Sequence, residues 1–333
     1  PNGGRMASTT LPRHGGGWAS GWSADMARPD EWTWTPRGVP GLRRRFVRDS
    51  RRLDERLEQL AATHPGVVAE AMGDKALPLA GFGWSAERLG NASLFWVSGE
   101  MAALALDAAL DVPEWSPGQL IAPTGLACFA KPLPGPAPRT FDLPGGRTWQ
   151  GNPPVWAIAW LPAPGGGTVI QLLGRLGDFP PGFADVDGPL VEILSILIRP
   201  ESDLDATLSP EARMSASLLM AMSVLMDTPT VAERRTIDSR TGKAPGTEHR
   251  PRTPRPDRHV TLVDLRPVRT VVTDHDEGTG HKLTVRFMVR GHWTHQAHGP
   301  KRALRKLIFI APYLKGPTDA PLQASEKVMV WRR

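Results

Sequence analysis

Residues 209–226 read SPEARMSASLLMAMSVLM, and this stretch decides the fold class. Ser209 is a favoured helix N-cap, Pro210 suits the first helical position, and the Glu211 carboxylate faces the positive end of the helix dipole. From Ala212 to Met226 the segment is apolar nearly all round. Because a helix that is apolar on all sides is buried, the sequence predicts a central helix whose methionines fill the core.

Two more helices are predicted upstream of this one. Between Arg43 and Ala62, apolar residues recur at helical spacing opposite a row of arginines. Ser98 is the predicted N-cap of the second helix, which Pro113 stops. Both helices are expected to pack on neighbouring strands.

Short apolar or β-branched runs bounded by turn residues predict the strands. The first three lie at 125–130, 155–161 and 168–173, with the glycine-rich stretch 162–167 as a hairpin connection. Residues 191–198 are continuously apolar except for one glutamate and fit either a buried strand or a turn of helix. Four further strands are predicted in the last third of the chain, at 259–265, 282–293, 305–310 and 327–331.

The predicted architecture is α+β, with helices packed on short antiparallel strands and a small, basic, β-rich domain at the C-terminus. The predicted divisions are a tryptophan-rich docking arm (1–40), an acidic α+β domain (41–233), a linker (234–258) and the basic domain (259–333). The linker is assigned on composition, since arginine, threonine, proline and glycine dominate it and offer little to bury.

The arm carries four tryptophans within a short stretch, at Trp18, Trp22, Trp32 and Trp34. Indole rings are costly to leave in water. The arm is therefore predicted to dock, either on the body of the protein or on a partner protein.

Composition excludes several classes of protein. No run approaches the roughly 18 consecutive apolar residues of a membrane span, and residues 7–40 lack the apolar core of a secretion signal. Cys128 is the single cysteine, which excludes an internal disulfide framework and multi-cysteine metal sites. We therefore expect a cytoplasmic protein that does not insert into membranes.

Charge is distributed unevenly along the chain. Residues 61–239 hold 10 Lys and Arg against 19 Asp and Glu, whereas residues 240–333 hold 19 against 8. A C-terminal third with a net charge of +11 is typical of a surface that meets an anion, and nucleic acid is the leading candidate. The alternative is a solvated basic tail without such a partner.

Cations and aromatic rings are interleaved in this basic region. The candidate nucleic-acid contacts are Arg290, Trp293, Arg305, Lys306, Tyr313 and Lys315. On a small sheet, such a mixture can hold phosphates and stack exposed bases. The alternative is a compact β-domain in which Trp293 belongs to the core and the cations are solvated.

The same region resembles a segment of uncharacterised proteins from actinobacteria and from their plasmids and phages. The shared pattern is V-R-G-H-W-x-x-Q, then G-P, then R-x-x-I-x-I-x-P-Y-x-K-G-P, carried here at 289–296, 299–300 and 305–317. Thr294 and His295 stand where that pattern has Arg-Asn, so His295 is not expected to be essential. The resemblance implies a mobile-element context and no particular activity.

Three histidines, His292, His295 and His298, stand close together in this segment. Successive residues of a strand point to opposite faces, so His292 and His295 diverge and no metal site is predicted. The chain also lacks the glycine patterns that cradle phosphates, and no small-molecule cofactor is expected.

Three functional hypotheses follow from these patterns. The first is a cytoplasmic DNA- or RNA-binding protein associated with a phage or plasmid. The second is a metal-independent ribonuclease in which His292 is the general acid and base and Arg290 or Lys306 stabilises phosphate charge. The third is a protein-interaction module, antitoxin-like or defence-related, that binds its partner through the tryptophan-rich arm.

Overall fold

The structure is a computed structural model that describes residues 33–63, 87–143, 147–163, 166–180, 189–199, 208–243, 258–267, 270–271, 284–317 and 319–323. The longer helices are α1 (Val39–Thr63), α2 (Gly99–Ala109) and α3 (Pro210–Asp227). The strands are β1 (Ser93–Val97), β2 (Gly125–Leu133), β3 (Arg139–Leu143), β4 (Arg147–Gly151), β5 (Val155–Pro162), β6 (Thr168–Arg175), β7 (Leu190–Ile198), β8 (Ala232–Asp238), β9 (His259–Leu265), β10 (Thr270–Val271), β11 (Phe287–Val289), β12 (His292–His298), β13 (Leu304–Ile310) and β14 (Tyr313–Lys315).

A seven-stranded mixed sheet forms the centre of the fold, in the order β7-β6-β5-β2-β1-β9-β8. Strands β9, β1 and β2 run parallel to one another, and every other neighbouring pair is antiparallel. Three smaller sheets accompany it, composed of β10-β14-β11, β12-β13 and β3-β4.

Both faces of the central sheet are covered. Phe95 and Val97 of β1 pack with helices α2 and α3, whereas Leu94, directly before Phe95, packs with Leu42 and Phe46 of α1. Successive residues of a strand alternate in direction, so a strand in the middle of the sheet must be apolar at nearly every position to fill both cores. This requirement explains the continuous apolar runs of β2, β5 and β6.

Helix α3 confirms the prediction of a buried central helix. The Ser209 hydroxyl accepts a hydrogen bond from the Ala212 amide and caps the first turn. From Ser215 to Met226 every residue is buried. The helix packs between α2, the sheet and strand β13, which is why it needs no polar face.

The α+β fold class is confirmed by this arrangement. Residues 191–198, which fitted a strand or a helix turn, form the edge strand β7. Helix α2 begins at its predicted cap, Ser98, but ends at Ala109, before Pro113. No helix in the described ranges is long and apolar enough to cross a membrane.

The strands near the C-terminus differ from the predicted division of the chain. Residues 234–238, expected in the linker, belong to β8, and β9 pairs with both β8 and β1 in the central sheet. Strand β9 is therefore part of the main body, because its residues Val260 and Val263 fill the two cores beside β1. Residues 244–257 and the predicted strand at 327–331 lie outside the described residues.

The described end of the arm docks on the body. Trp34 donates a hydrogen bond from Nε1 to the Phe129 carbonyl (2.9 Å) and packs against Trp96 and Trp156. The guanidinium of Arg175 lies over the Trp156 ring at 4.7 Å. Trp18, Trp22 and Trp32 lie outside the described residues.

Strand β7 contains one ionisable group, Glu192, whose carboxylate accepts a hydrogen bond from Gln171 Nε2 (2.6 Å). Burial raises the pKa of Glu192 above its ordinary value, and the Gln171 hydrogen bond opposes that rise only in part. The folded state therefore retains a proton on Glu192 to a higher pH than the unfolded chain does.

We expect this difference in pKa to make the stability of the protein depend on pH. The proton-linked stabilisation is complete below the unfolded pKa of about 4.5 and is lost as the pH rises through the folded pKa. Glu192→Gln removes the titration, so its free energy of unfolding should exceed that of the wild type by a margin that grows with pH. Urea titrations between pH 4 and 8 measure this margin.

The matched control is Ser195→Ala in the same strand, which changes no ionisable group. Its difference from the wild type should stay constant over the same pH range. A constant difference for Glu192→Gln as well would show that Glu192 ionises in the folded state as it does in water.

Candidate functional site

The hairpin of β12 and β13 packs on the helical layer of the body. The two strands pair antiparallel in unbroken register from His292↔Ile310 to His298↔Leu304. Trp293 donates a hydrogen bond from Nε1 to the Ala108 carbonyl at the end of α2 (2.9 Å) and makes an edge contact with Phe309. Leu307 and Phe309 are buried in the same core as α3. Trp293 is thus a structural anchor, and its ring is not presented for stacking on a base.

Charged contacts join the hairpin region to the acidic body. Arg290 Nη2 lies 3.4 Å from an Asp111 carboxylate oxygen and 3.8 Å from one of Asp107. Lys306 Nζ lies 3.0 Å from a carboxylate oxygen of Asp227 at the end of α3. Two of the four cations of the predicted nucleic-acid surface, Arg290 and Lys306, therefore face carboxylates of the same chain.

A third contact of this kind involves one of the histidines. His295 Nε2 lies 3.3 Å from a Glu114 carboxylate oxygen, so residue 295 also faces the body. All of these pairs are substantially exposed, and each contributes about 0–1 kcal/mol to stability. These ion pairs help to orient the hairpin. The apolar contacts of Trp293, Leu307 and Phe309 supply most of the free energy that attaches it to the body.

A groove of about 780 Å³ opens where the hairpin, the end of α3 and the loop after α2 meet. Its apolar walls include Leu120, Ile121, Val224, Ile308, Ile310 and Tyr313. Asp227, Lys306 and Gln296 supply polar groups to the same lining. Apolar walls with a few polar groups are typical of protein-binding surfaces and small-molecule pockets alike.

Gln119 braces one wall of this groove. With its amide nitrogen turned towards β13, Gln119 donates to the Leu307 carbonyl and accepts from the Leu307 amide, both at 3.2 Å. The two bonds occupy the backbone groups of Leu307 that point away from β12. This side chain ties the loop at 117–121 to β13 and fixes the distance between two walls of the groove.

The remaining predicted site residues are scattered. Tyr313 lines the groove, whereas Lys315 lies half-buried in β14 and pairs in register with Phe287. Arg305 is exposed and donates to the carbonyl of Arg302 (2.9 Å), in the turn that precedes β13. The structure brings Lys306 and Tyr313 into one groove and leaves Arg290, Arg305 and Lys315 outside it.

The three histidines lie on one strand, β12, which runs beyond the predicted strand end at 293. His292 and His298 share a face of β12, but six residues of strand separate them by about 20 Å. The imidazole of His292 is exposed, and its Nδ1 lies 3.4 Å from the carbonyl of Arg290. Among the described residues, no group of three or more histidine, cysteine or acidic side chains is arranged to hold a metal ion.

Sequence reasoning missed the acidic half of this arrangement, which consists of Asp107, Asp111, Glu114 and Asp227. The available signal was the net charge of −9 over residues 61–239, opposite in sign to the C-terminal third. Two blocks of opposite charge in one chain can neutralise each other, and here part of the basic block meets the acidic body.

Comparisons with known proteins match part of this chain to one family. The model of the AcrVA2-like family, described as the anti-CRISPR type V subtype A2 family, matches residues 201–316. No curated protein matches the chain. The crystal structure of AcrVA2 aligns with 10% sequence identity and a TM-score of 0.34, covering 80% of this chain and 85% of that one. Since the structural score is low, the functional comparison rests on the family match.

The family match corrects the leading functional hypothesis. The expectation of a nucleic-acid-binding protein is wrong, because the segment that was predicted to contact nucleic acid lies within the match to an anti-CRISPR family. The physical reason lies in the charge pairs described above, which engage Arg290 and Lys306 with the body. The match favours the third hypothesis, a defence-related protein-interaction module.

Proposed function

We propose that this chain is an anti-CRISPR protein that binds a protein component of a type V CRISPR effector complex. The observation that carries the proposal is the match of residues 201–316 to the anti-CRISPR type V subtype A2 family. Those residues include helix α3, strands β8 and β9 and the whole β12–β13 hairpin. The proposal places the chain in the cytoplasm of a bacterium and its gene on a phage or plasmid.

The groove beside Tyr313 is the proposed contact surface. It is lined mainly by residues of the matched segment, and its apolar walls with a Lys306–Asp227 pair in the same lining fit a protein partner. Tyrosine is among the residues that contribute most to protein interfaces, since it buries a large rigid ring and keeps a polar hydroxyl.

The first experiment tests inhibition in cells. A bacterium whose type V CRISPR system targets a plasmid should regain transformation when the chain is expressed with it. The variants Ile308→Ala and Tyr313→Ala should lose this protection in part or completely. Met288→Ala is the matched control, because Met288 is an exposed apolar side chain of the neighbouring strand β11 and does not line the groove.

The second experiment tests the class of partner. The chain should co-purify with a protein component of the effector after exhaustive nuclease treatment, and Tyr313→Ala should weaken that complex by about 1–3 kcal/mol. Thermal melting of each variant separates loss of binding from loss of folding. Undiminished CRISPR interference in the presence of the folded wild-type chain would contradict the proposal.

A further inference from the structure

The turn that joins β12 to β13 has an unusual backbone. Lys301 and Arg302 have φ angles of 51° and 56°, and in the described parts of the chain they are the only residues other than glycine with positive φ. A residue with a Cβ is disfavoured in this left-handed region, whereas glycine adopts it freely. Gly299 places a glycine at such a position of the same turn, with φ 75°. Two cations therefore stand in succession where glycine would cost less free energy.

The strained turn is held by hydrogen bonds of its own. The amide of Arg302 donates to the Gly299 carbonyl (3.1 Å), and the amide of Ala303 donates to the Pro300 carbonyl (3.2 Å). Arg305 Nη1 donates to the carbonyl of Arg302 (2.9 Å), so its guanidinium lies against the turn. Backbone strain of this kind persists where the surroundings fix it, and it clusters at binding sites.

Residues 298–305, which we call the hairpin tip, carry an exposed positive charge. They include Lys301, Arg302 and Arg305, all exposed, and no acidic residue. Among the residues that the structure describes, none supplies a carboxylate to these three cations. The cations nearer the body pair with its carboxylates, as described above. The positive charge that the body leaves without a carboxylate partner is thus concentrated at the tip.

The surroundings of these cations favour a protein as their partner. The tip has no phenylalanine, tyrosine or tryptophan on which a base could stack. Its Leu304 side chain is 54% exposed beside the cations, and apolar side chains among charged ones are common in protein interfaces. The tip is also continuous with the groove, because β13 runs from 304–305 in the tip to 306–310 in the groove lining.

We propose that the hairpin tip binds a carboxylate-rich patch on the same effector protein that occupies the groove. This inference rests on the proposed function and adds the charge of the partner surface. Guanidinium groups pair well with carboxylates, and opposite charges on two proteins accelerate their association. The charge that Lys301 and Arg302 contribute to binding explains why two residues with a Cβ occupy left-handed positions.

Glycine substitutions separate the strain from the charge. Lys301→Gly and Arg302→Gly should each raise the urea midpoint of the free chain, because the relief of strain exceeds the entropy that a glycine adds to the unfolded chain. Lys301→Ala and Arg302→Ala keep a Cβ and should not raise it. All four variants should bind the effector protein more weakly than the wild type does. A merely structural turn would not combine higher stability with weaker binding.

Charge reversal measures the electrostatic contribution. The double variant Lys301→Glu/Arg302→Glu should associate about tenfold more slowly at low salt with the effector protein prepared without its guide RNA. The dependence of its association rate on salt should also be weaker than that of the wild type. Arg235→Glu/Arg240→Glu is the matched control, because both arginines are exposed, lie outside the groove lining and give the same change in net charge.

The outcomes distinguish this inference from the proposed function. If the wild type binds the effector protein and inhibits interference, and the tip variants bind equally well, the tip proposal is wrong and the proposed function stands. A wild type that binds no effector protein would overturn both. An affinity loss confined to the RNA-loaded effector would mean that the tip contacts phosphate, which would overturn the tip proposal. Glycine variants less stable than the alanine variants would contradict the strain on which it depends.

Discussion

Replacing Trp160 by alanine is expected to lower the free energy of unfolding by about 3–5 kcal/mol, the range for removal of a buried tryptophan. The Trp160 side chain is completely buried, and its ring stacks with Phe95 at a centroid distance of 5.8 Å. Its Nε1 donates to the Ala122 carbonyl (2.7 Å), which the substitution leaves without that donor. Urea denaturation monitored by far-ultraviolet circular dichroism measures the loss.

Two further variants test whether the buried position of the Trp160 ring causes this loss of stability. Gly125 is the register partner of Trp160, and a Cβ added there would lie 2.1 Å from a carbon of the indole. Gly125→Ala should therefore destabilise the same core without removing the ring. Trp156→Ala, at a half-buried ring of the same strand, is the matched control and should cost less than Trp160→Ala. A loss below about 1 kcal/mol for Trp160→Ala would contradict the buried, stacked position of its ring.

Trp293→Ala is expected to release the β12–β13 hairpin from the body and to lower the free energy of unfolding by about 2–3 kcal/mol. The substitution removes the edge contact with Phe309 and the hydrogen bond to Ala108. Amides of 292–298 and 304–310 should then exchange faster, whereas those of β5 and β6 should keep their protection. Hydrogen exchange resolved by segment is the appropriate measurement.

Trp293→Phe separates the two contributions of the indole. The phenyl ring keeps an aromatic contact with Phe309 but cannot donate to Ala108, so we expect a loss of about 1 kcal/mol. If the hairpin amides of Trp293→Ala exchange at the wild-type rates, Leu307 and Phe309 hold the hairpin on the body without Trp293. In that event the charged contacts of Arg290 would not explain the attachment of the hairpin either, since exposed ion pairs contribute little to stability.

Local patterns predicted the elements of this fold well. Ser98 and Ser209 cap helices α2 and α3 as their positions indicated, because capping depends on neighbours three residues away. The apolar runs at 125–130, 155–161 and 168–173 form β2, β5 and β6. Strand β7 could not be distinguished from a helix turn, since an apolar run without alternation fits both.

The same local patterns could not predict which strands pair with each other in the sheet. Strand β9 follows a stretch of linker-like composition, and its pairing with β1 joins residues more than 150 positions apart along the chain. The predicted start of the linker at 234 failed for this reason. Residues 234–236 are exposed and include two arginines, yet they belong to β8, because an edge strand buries only part of its surface.

The sequence predicted the residues of the candidate site, but the prediction that they form a nucleic-acid-binding surface was wrong. The α+β class, the buried helix α3 and the concentration of cations and aromatic rings after residue 289 could be predicted from the chain alone, since helix caps, apolar periodicity and charge are local properties. The direction in which those side chains face depends on tertiary contacts. These contacts pack the half-buried Trp293 against the core and bring Arg290 and Lys306 to Asp111 and Asp227. A charge attracts whatever opposite charge the fold places beside it, and here the fold supplied carboxylates from more than 70 residues away.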